Sequence, residues 1–191
     1  MPDSIRRTLL IFLLSCTAAL PLVLGLLVAV AKPQAPTPVD YSAATVGGLR
    51  YVATTDRPIH ASDAVDARIV KGLPAGERRA GRENLLLGVF VTVANDSRRP
   101  RPSAARIDLR DEAMHVYRPL RLPAANRYAY RPGMLAPGAR VPRNGTPAAD
   151  NLAAGGRLLL YRVPAWRYRS GALELVVHDP LHAGAVRTVV L

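Results

Sequence analysis

Leu85-Leu86-Leu87-Gly88-Val89-Phe90-Val91-Thr92-Val93-Ala94 carries the strongest structural signal in the chain. Val89, Val91 and Val93 recur with the two-residue period of a strand, while Phe90 and Thr92 occupy the opposite parity. With apolar side chains on both faces, the segment reads as a central strand covered from two sides. Asn95-Asp96-Ser97 then turns the chain. Upstream, Gly47-Gly48 opens a strand over residues 49–54 with Leu49, Tyr51 and Ala53 on one face, and residues 56–58 end it. Residues 62–71 read as a short helix: Ser62 or Asp63 caps its start, Val65 and Ile69 share a face, and Lys71-Gly72 supplies a basic last turn and a left-handed stop. Residues 73–83 form a polar loop.

Downstream, residues 98–102 are a basic, proline-broken connection. Residues 106–110 alternate cleanly, with Ile107 and Leu109 inward, and residues 114–118 return as a hairpin partner around a turn at 111–113. Between residues 119 and 155 the prolines at 119, 123, 132, 137, 142 and 147 forbid long regular elements, and Pro137-Gly138 suits a type II turn. Strand-like Leu and Val return at 157–163, 172–178 and 185–191. Six or seven short strands predict an all-β chain, a β-sandwich, whose core includes Val89, Val91, Val93, Ile107, Leu109, Leu158, Leu160, Leu173, Leu175 and Val177.

Four pieces occur in a telling order: Val91-Thr92-Val93-Ala94-Asn95, then Leu109-Arg110-Asp111 with Val116-Tyr117, then Leu135-Ala136-Pro137-Gly138, then Leu160-Tyr161-Arg162-Val163-Pro164. Together they resemble the immunoglobulin-like extracytoplasmic domains of unknown function carried by many actinobacterial membrane-anchored or secreted proteins. The resemblance covers roughly residues 49–191 and departs at 62–82 and in the long 119–155 connection. It implies an immunoglobulin-like sandwich in which the Pro-Gly pair makes a turn and Asp111 and Tyr117 sit around a hairpin. It brings no catalytic residues with it.

Ahead of this domain lie residues 8–31, without a charged side chain and with 14 Leu, Ile, Val or Phe. As a helix rising about 1.5 Å per residue they would reach roughly 36 Å, enough to cross a hydrocarbon core of about 30 Å. Arg6 and Arg7 precede the run, which predicts a single transmembrane anchor with residues 1–7 as a cytoplasmic tip and the remainder exported. Ala29-Val30-Ala31 offers a signal-peptidase site and Leu13-Leu14-Ser15-Cys16 a lipobox, but the apolar run exceeds the roughly 7–15 residues of a cleaved signal. Pro33, Pro36 and Pro38 make residues 32–40 a semi-rigid linker, leaving residues 41–191 as the extracytoplasmic domain.

Cys16 is the one cysteine, so the domain has no disulfide, cysteine nucleophile or cysteine-based metal site. Three of the 26 Lys and Arg and two of the 14 Asp and Glu precede residue 41, leaving 23 and 12 and a domain charge of +11. Outside the cytoplasm such a charge points to anionic lipid or anionic envelope polymer, not nucleic acid. No Gly-x-Ser-x-Gly elbow, phosphate-cradling glycine loop or His-Glu-x-x-His occurs. His178 and His182 have a metal-like spacing, but Pro180 lies between them at a strand end, so no metal or other cofactor is expected. Asp108, between Arg106 and Arg110, reads as an ion-paired residue on an exposed strand face.

Two groups of arginines and aromatics are the candidate binding surface. Arg127, Tyr128, Tyr130 and Arg131 lie in the irregular connection, and Trp166, Arg167, Tyr168 and Arg169 lie between two strands. Both residue types favour partner contacts, and loops held by a rigid sandwich are where binding residues collect. The functional expectation is a non-enzymatic, membrane-tethered binding or scaffolding domain, engaging another envelope protein or an anionic polymer. A cell-envelope enzyme acting on wall polymers is the alternative, as is a basic module docking on anionic lipid.

Overall fold

A computed structural model describes residues 43–149 and 155–191. The expected tip, anchor and linker, with the cleavage and lipidation motifs, lie outside the described residues. Among the described residues no helix is long and apolar enough to cross a membrane.

The central-strand reading of residues 85–94 holds. Strand β3 (Asn84–Ala94) pairs along one edge with β2 (Leu49–Ile59), which in turn pairs with β1 (Ala43–Val46). Its other edge is shared by β8 (Arg140–Val141) and β9 (Arg157–Pro164), giving a five-stranded antiparallel sheet. A second antiparallel sheet has the order β11 (Val186–Val190), β10 (Leu173–His178), β5 (Ile107–Asp111), β6 (Val116–Tyr117). Strands β4 (Arg101–Pro102) and β7 (Met134–Leu135) form a small separate pair. The described chain is therefore all-β, with three short helices: α1 (Ala64–Ile69), α2 (Ala75–Arg78) and α3 (Ala165–Ser170).

The two larger sheets enclose one core. Leu49, Tyr51 and Ala53 of β2 and Leu87, Val89, Val91 and Val93 of β3 meet Ile107 and Leu109 of β5 and Leu173, Leu175 and Val177 of β10. Tyr hydroxyls buried there satisfy backbone groups, as burial requires: the Ala104 amide donates to Tyr51 Oη at 2.7 Å, Tyr130 donates to Ala104 O at 2.9 Å, and Tyr161 donates to Ile107 O at 2.9 Å.

All ten predicted core residues are buried, but not in one place. Leu158 and Leu160 point away from the shared core, where Leu159, Tyr161 and Val163 are the inward side chains of β9. They join Leu86 and Phe90 on the outer face of the five-stranded sheet, in a second cluster closed by Ile59, Ile69, Val70, Leu73, Leu122 and Ala129. Gly88 sits on this outer face between Leu86 and Phe90, where a Cβ would stand 2.8 Å from Ile59 Cδ1 and 3.2 Å from Leu158 Cδ1.

Three further expectations are corrected. Strand β2 does not end at residues 56–58; it passes a bulge after Ala53 and runs to Ile59. Among the described residues β1 reaches only to the partner of Val52, leaving that end of β2 paired on one side, where Pro58 is tolerated. Helix α1 is present and Asp63 caps it, accepting from Val65 N and Asp66 N, yet Val65 is 53% exposed and the buried face carries Asp66 and Ile69. Asp108 is ion-paired but buried, its Oδ2 accepting from Arg106 Nε at 2.6 Å and contacting His178 Nε2 at 3.0 Å.

Two of the quoted pieces meet in space, and a third closes on itself. Buried Asn95 donates from Nδ2 to Arg99 O and Leu135 O, each at 2.9 Å, and its own backbone pairs with the Pro137-Gly138 turn. Gly138 takes φ 72°, and Ala139 N donates to Ala136 O at 3.0 Å, as a type II turn requires. Asp111 and Tyr117 face each other across the β5–β6 hairpin, with the Tyr117 hydroxyl donating to Asp111 Oδ2 at 3.0 Å.

Candidate binding cleft

Helix α1 and the segment after Pro119 are fastened to each other and to the sheet beneath. Arg57, on the outer face of β2, donates from Nη1 and Nη2 to the two oxygens of Asp66 at 3.0 and 2.5 Å, and His60 N adds a bond at 2.9 Å. Burial works to raise the Asp66 carboxyl, but the Arg57 guanidinium and the His60 amide outweigh it and hold the group below the usual carboxylate range. The same pairing raises Arg57. At the far end of α1, Asn126 donates from Nδ2 to Ile69 O at 2.6 Å and accepts Tyr128 N and Ala129 N on Oδ1. Gly72 turns the chain at φ 89°, and a Cβ there would lie 2.9 Å from Pro123 Cγ.

Residues 128–130 then lie against the edge of β9. Leu158 N donates to Tyr128 O at 2.8 Å and Tyr130 N to Leu158 O at 2.9 Å. This part of the long connection packs on the outer face of the sheet: Leu122 and Ala129 are buried in the second cluster and Tyr128 packs against it.

Between α1 and this segment opens a cleft of about 660 Å³, lined by Arg68, Lys71, Gly72, Pro123, Ala125, Asn126, Arg127 and Tyr128. Three of the lining residues are cationic and none is acidic. Arg68, Lys71 and Arg127 are all exposed, and among the described residues no carboxylate pairs with them. Arg127 instead lies over Tyr128, 5.2 Å from the ring centroid, and donates to its hydroxyl at 3.2 Å. Elsewhere Arg50, Arg57, Arg106, Arg110 and Arg167 each face an Asp or Glu. The cleft is thus a concentration of unmatched positive charge on a braced floor.

The other predicted residues are disposed differently. Tyr130 does not stand at the surface beside the arginines; it is 8% exposed and closes the shared core. Burial, with the neighbouring Tyr51, pushes its hydroxyl pKa up. Arg131 is exposed but turns back, donating to Leu122 O and Pro123 O and bracing the loop. Both line a smaller cavity of about 230 Å³ with Leu120, Leu122 and Leu158.

Trp166, Arg167, Tyr168 and Arg169 lie on α3, between β9 and β10. Trp166 is 56% exposed, with the Arg167 guanidinium 4.0 Å from its ring centroid. Arg167 also reaches Asp111 Oδ2 at 3.2 Å, Tyr168 packs against the shared core, and Arg169 is exposed. Among the described residues no hydrogen bond, ion pair or ring contact joins this group to the cleft.

Asp111, which the resemblance sets at the hairpin with Tyr117, has more partners than that pairing implies. It is buried and accepts from His115 N at 2.9 Å and the Tyr117 hydroxyl at 3.0 Å, with the His115 ring and Arg167 alongside. Burial favours the neutral carboxyl, but these donors prevail and lower its pKa. His178 and His182 engage different carboxylates, Asp108 and Asp179, at 3.0 and 3.1 Å. No group of three potential metal ligands gathers among the described residues. Lys71, read in the sequence only as the basic end of a helix, and Asn126 both line the cleft; neither stood among the candidate site residues, since no local pattern says that residues 71 and 126 meet.

No protein-family model matches the chain, and no curated protein does. Among solved structures, the yjhA protein from Bacillus subtilis is similar at 16% sequence identity and a TM-score of 0.42, covering 71% of this chain and 76% of that one.

Proposed function

We propose that the chain is a non-enzymatic binding or scaffolding protein, tethered to the cytoplasmic membrane by residues 8–31, with residues 41–191 outside as an immunoglobulin-like sandwich of the kind its sequence resembles. The observation that carries the binding reading is the cleft: three exposed cations without carboxylate partners surround a volume of about 660 Å³, within the roughly 300–1,000 Å³ of ligand sites. An enzyme acting on wall polymers would need two carboxylates, or a histidine and its partner, converging on one cavity. Asp66 is spent on Arg57, Asp108 on Arg106 and His178, and Asp111 on its hairpin, and none of the three lines the cleft.

The test is made in intact cells of the source organism. A photo-crosslinking side chain at Tyr128 should give discrete adducts that one at exposed Arg98 does not, and external protease should reach the domain. Identical adducts from both positions, or a domain sheltered from protease in intact spheroplasts, would defeat the reading.

A further inference from the structure

From the cleft's chemistry we infer that it takes a phosphate ester of a sugar or polyol. This rests on the binding reading above and adds the class of ligand. Arg68, Lys71 and Arg127 line one cavity with no acidic residue among its walls. A dianionic phosphate answers such a site better than a single carboxylate, because guanidinium groups bind its oxygens in pairs and an ammonium acts as a compact point charge. The cations are also uncommitted: Arg57, Arg106 and Arg110 are neutralised by neighbouring carboxylates, whereas Arg127 contacts only the Tyr128 ring and hydroxyl through its side chain.

The size argues for more than the phosphate. About 660 Å³ far exceeds a bare phosphate group, and the remaining walls include Pro123, Ala125 and Tyr128, which offer C–H and ring surface to a carbohydrate. The Tyr128 hydroxyl, which accepts from Arg127 Nη2, adds a polar group to the same wall. The floor is set beforehand: Asn126 joins α1 to the loop through Ile69 O, Tyr128 N and Ala129 N, so little ordering remains for binding to impose.

The experiment uses the full chain in nanodiscs of zwitterionic lipid, titrated calorimetrically with glucose 1-phosphate, inorganic phosphate and glucose. Glucose 1-phosphate should bind saturably and more tightly than inorganic phosphate, and glucose should not bind. Lys71→Gln with Arg127→Gln should weaken binding by tenfold or more, since charge-assisted contacts are lost. Arg98→Gln with Arg143→Gln removes the same charge outside the cleft and should change it less than twofold. If the first pair unfolds, Arg68→Gln alone must still weaken binding several-fold.

The inference is overturned if neither phosphate binds, if the outside pair weakens binding as much as the cleft pair, or if the chain binds only phosphatidylglycerol vesicles. Should no phosphate bind while crosslinking from Tyr128 stays position-specific, the ligand class fails and the binding reading survives. Loss of both would remove that reading too.

Discussion

Replacing Asp66 with alanine should loosen α1 and lower stability by about 3 kcal/mol. The carboxylate is 4% exposed and accepts two bonds from Arg57 and one from His60 N. Removing one member of a buried pair typically costs about 3–5 kcal/mol, because the other charge is stranded. Arg57 is 26% exposed at its side chain, so its guanidinium recovers some water, which places the expectation at the lower end. For a domain of this size that corresponds to roughly 6–12 °C in thermal midpoint. Urea unfolding of Asp66→Ala, Asp66→Leu, Arg57→Leu and the double Arg57→Leu/Asp66→Leu would measure it, the double variant costing only about 1 kcal/mol because no charge is left unpaired. The sign of the pH effect follows from the depressed carboxyl: the Asp66 contribution is fully present above the ordinary value of 3.8 and is lost as pH falls through the lower folded value. The difference between wild type and Asp66→Ala should therefore be constant near neutrality and shrink in acid. Additive losses in Arg57→Leu and Asp66→Leu, or a loss under about 1 kcal/mol for Asp66→Ala, would refute the reasoning.

Gly88→Ala should destabilise by about 1–3 kcal/mol, since its Cβ would stand 2.8 Å from Ile59 Cδ1; combined with Ile59→Ala it should cost less than the two changes summed. Tyr130→Phe should cost about 1–2 kcal/mol by unmaking the 2.9 Å bond to Ala104 O, and should leave glucose 1-phosphate binding unchanged. Asp56→Asn should stabilise at pH 7, because burial raises the Asp56 carboxyl and penalises its charged form; the gain should fade as pH falls through the raised folded value and be gone below 3.8, where the unfolded carboxyl is also neutral. Thermal melts at several pH values check all three.

The alternation in residues 85–94 and 106–110 was legible because valines and isoleucines there change parity with polar or differently sized neighbours. Residues 157–163 are another matter. Leu158, Leu159, Leu160 and Tyr161 are four consecutive buried side chains, so the period carries no information about which face is which, and the shared core took 159 and 161. A strand covered on both sides hides its parity in this way when the side chains on its two faces are alike. Asp108 was misjudged for a related reason. Alternation said it points away from Ile107 and Leu109, which it does, but only tertiary structure brings His178, 70 residues on, to cover it. The candidate site was half legible: arginine-aromatic composition marked Arg127 and Tyr128, while Arg68, Lys71 and Asn126 became relevant only once α1 was packed against the loop.

The second cluster links folding to binding. Its closing layer consists of α1 and the loop around Leu122 and Ala129, and the same two segments form the walls of the cleft. Whatever holds that layer on the sheet therefore also sets the spacing of the three cations, although Asp66, Arg57 and Gly88 touch none of the cleft. A ligand bound there would stabilise the layer by mass action, by about 2.7 kcal/mol at a hundredfold excess over its dissociation constant. That is close to the loss expected from Asp66→Ala, so saturating ligand would restore most of what the variant gives up, provided the layer is still seated before the ligand arrives. Within the +11 charge of residues 41–191, Arg57, Arg106 and Arg167 serve the fold by answering buried carboxylates, whereas Arg68, Lys71 and Arg127 stand unanswered around one concave surface where an anion can reach them.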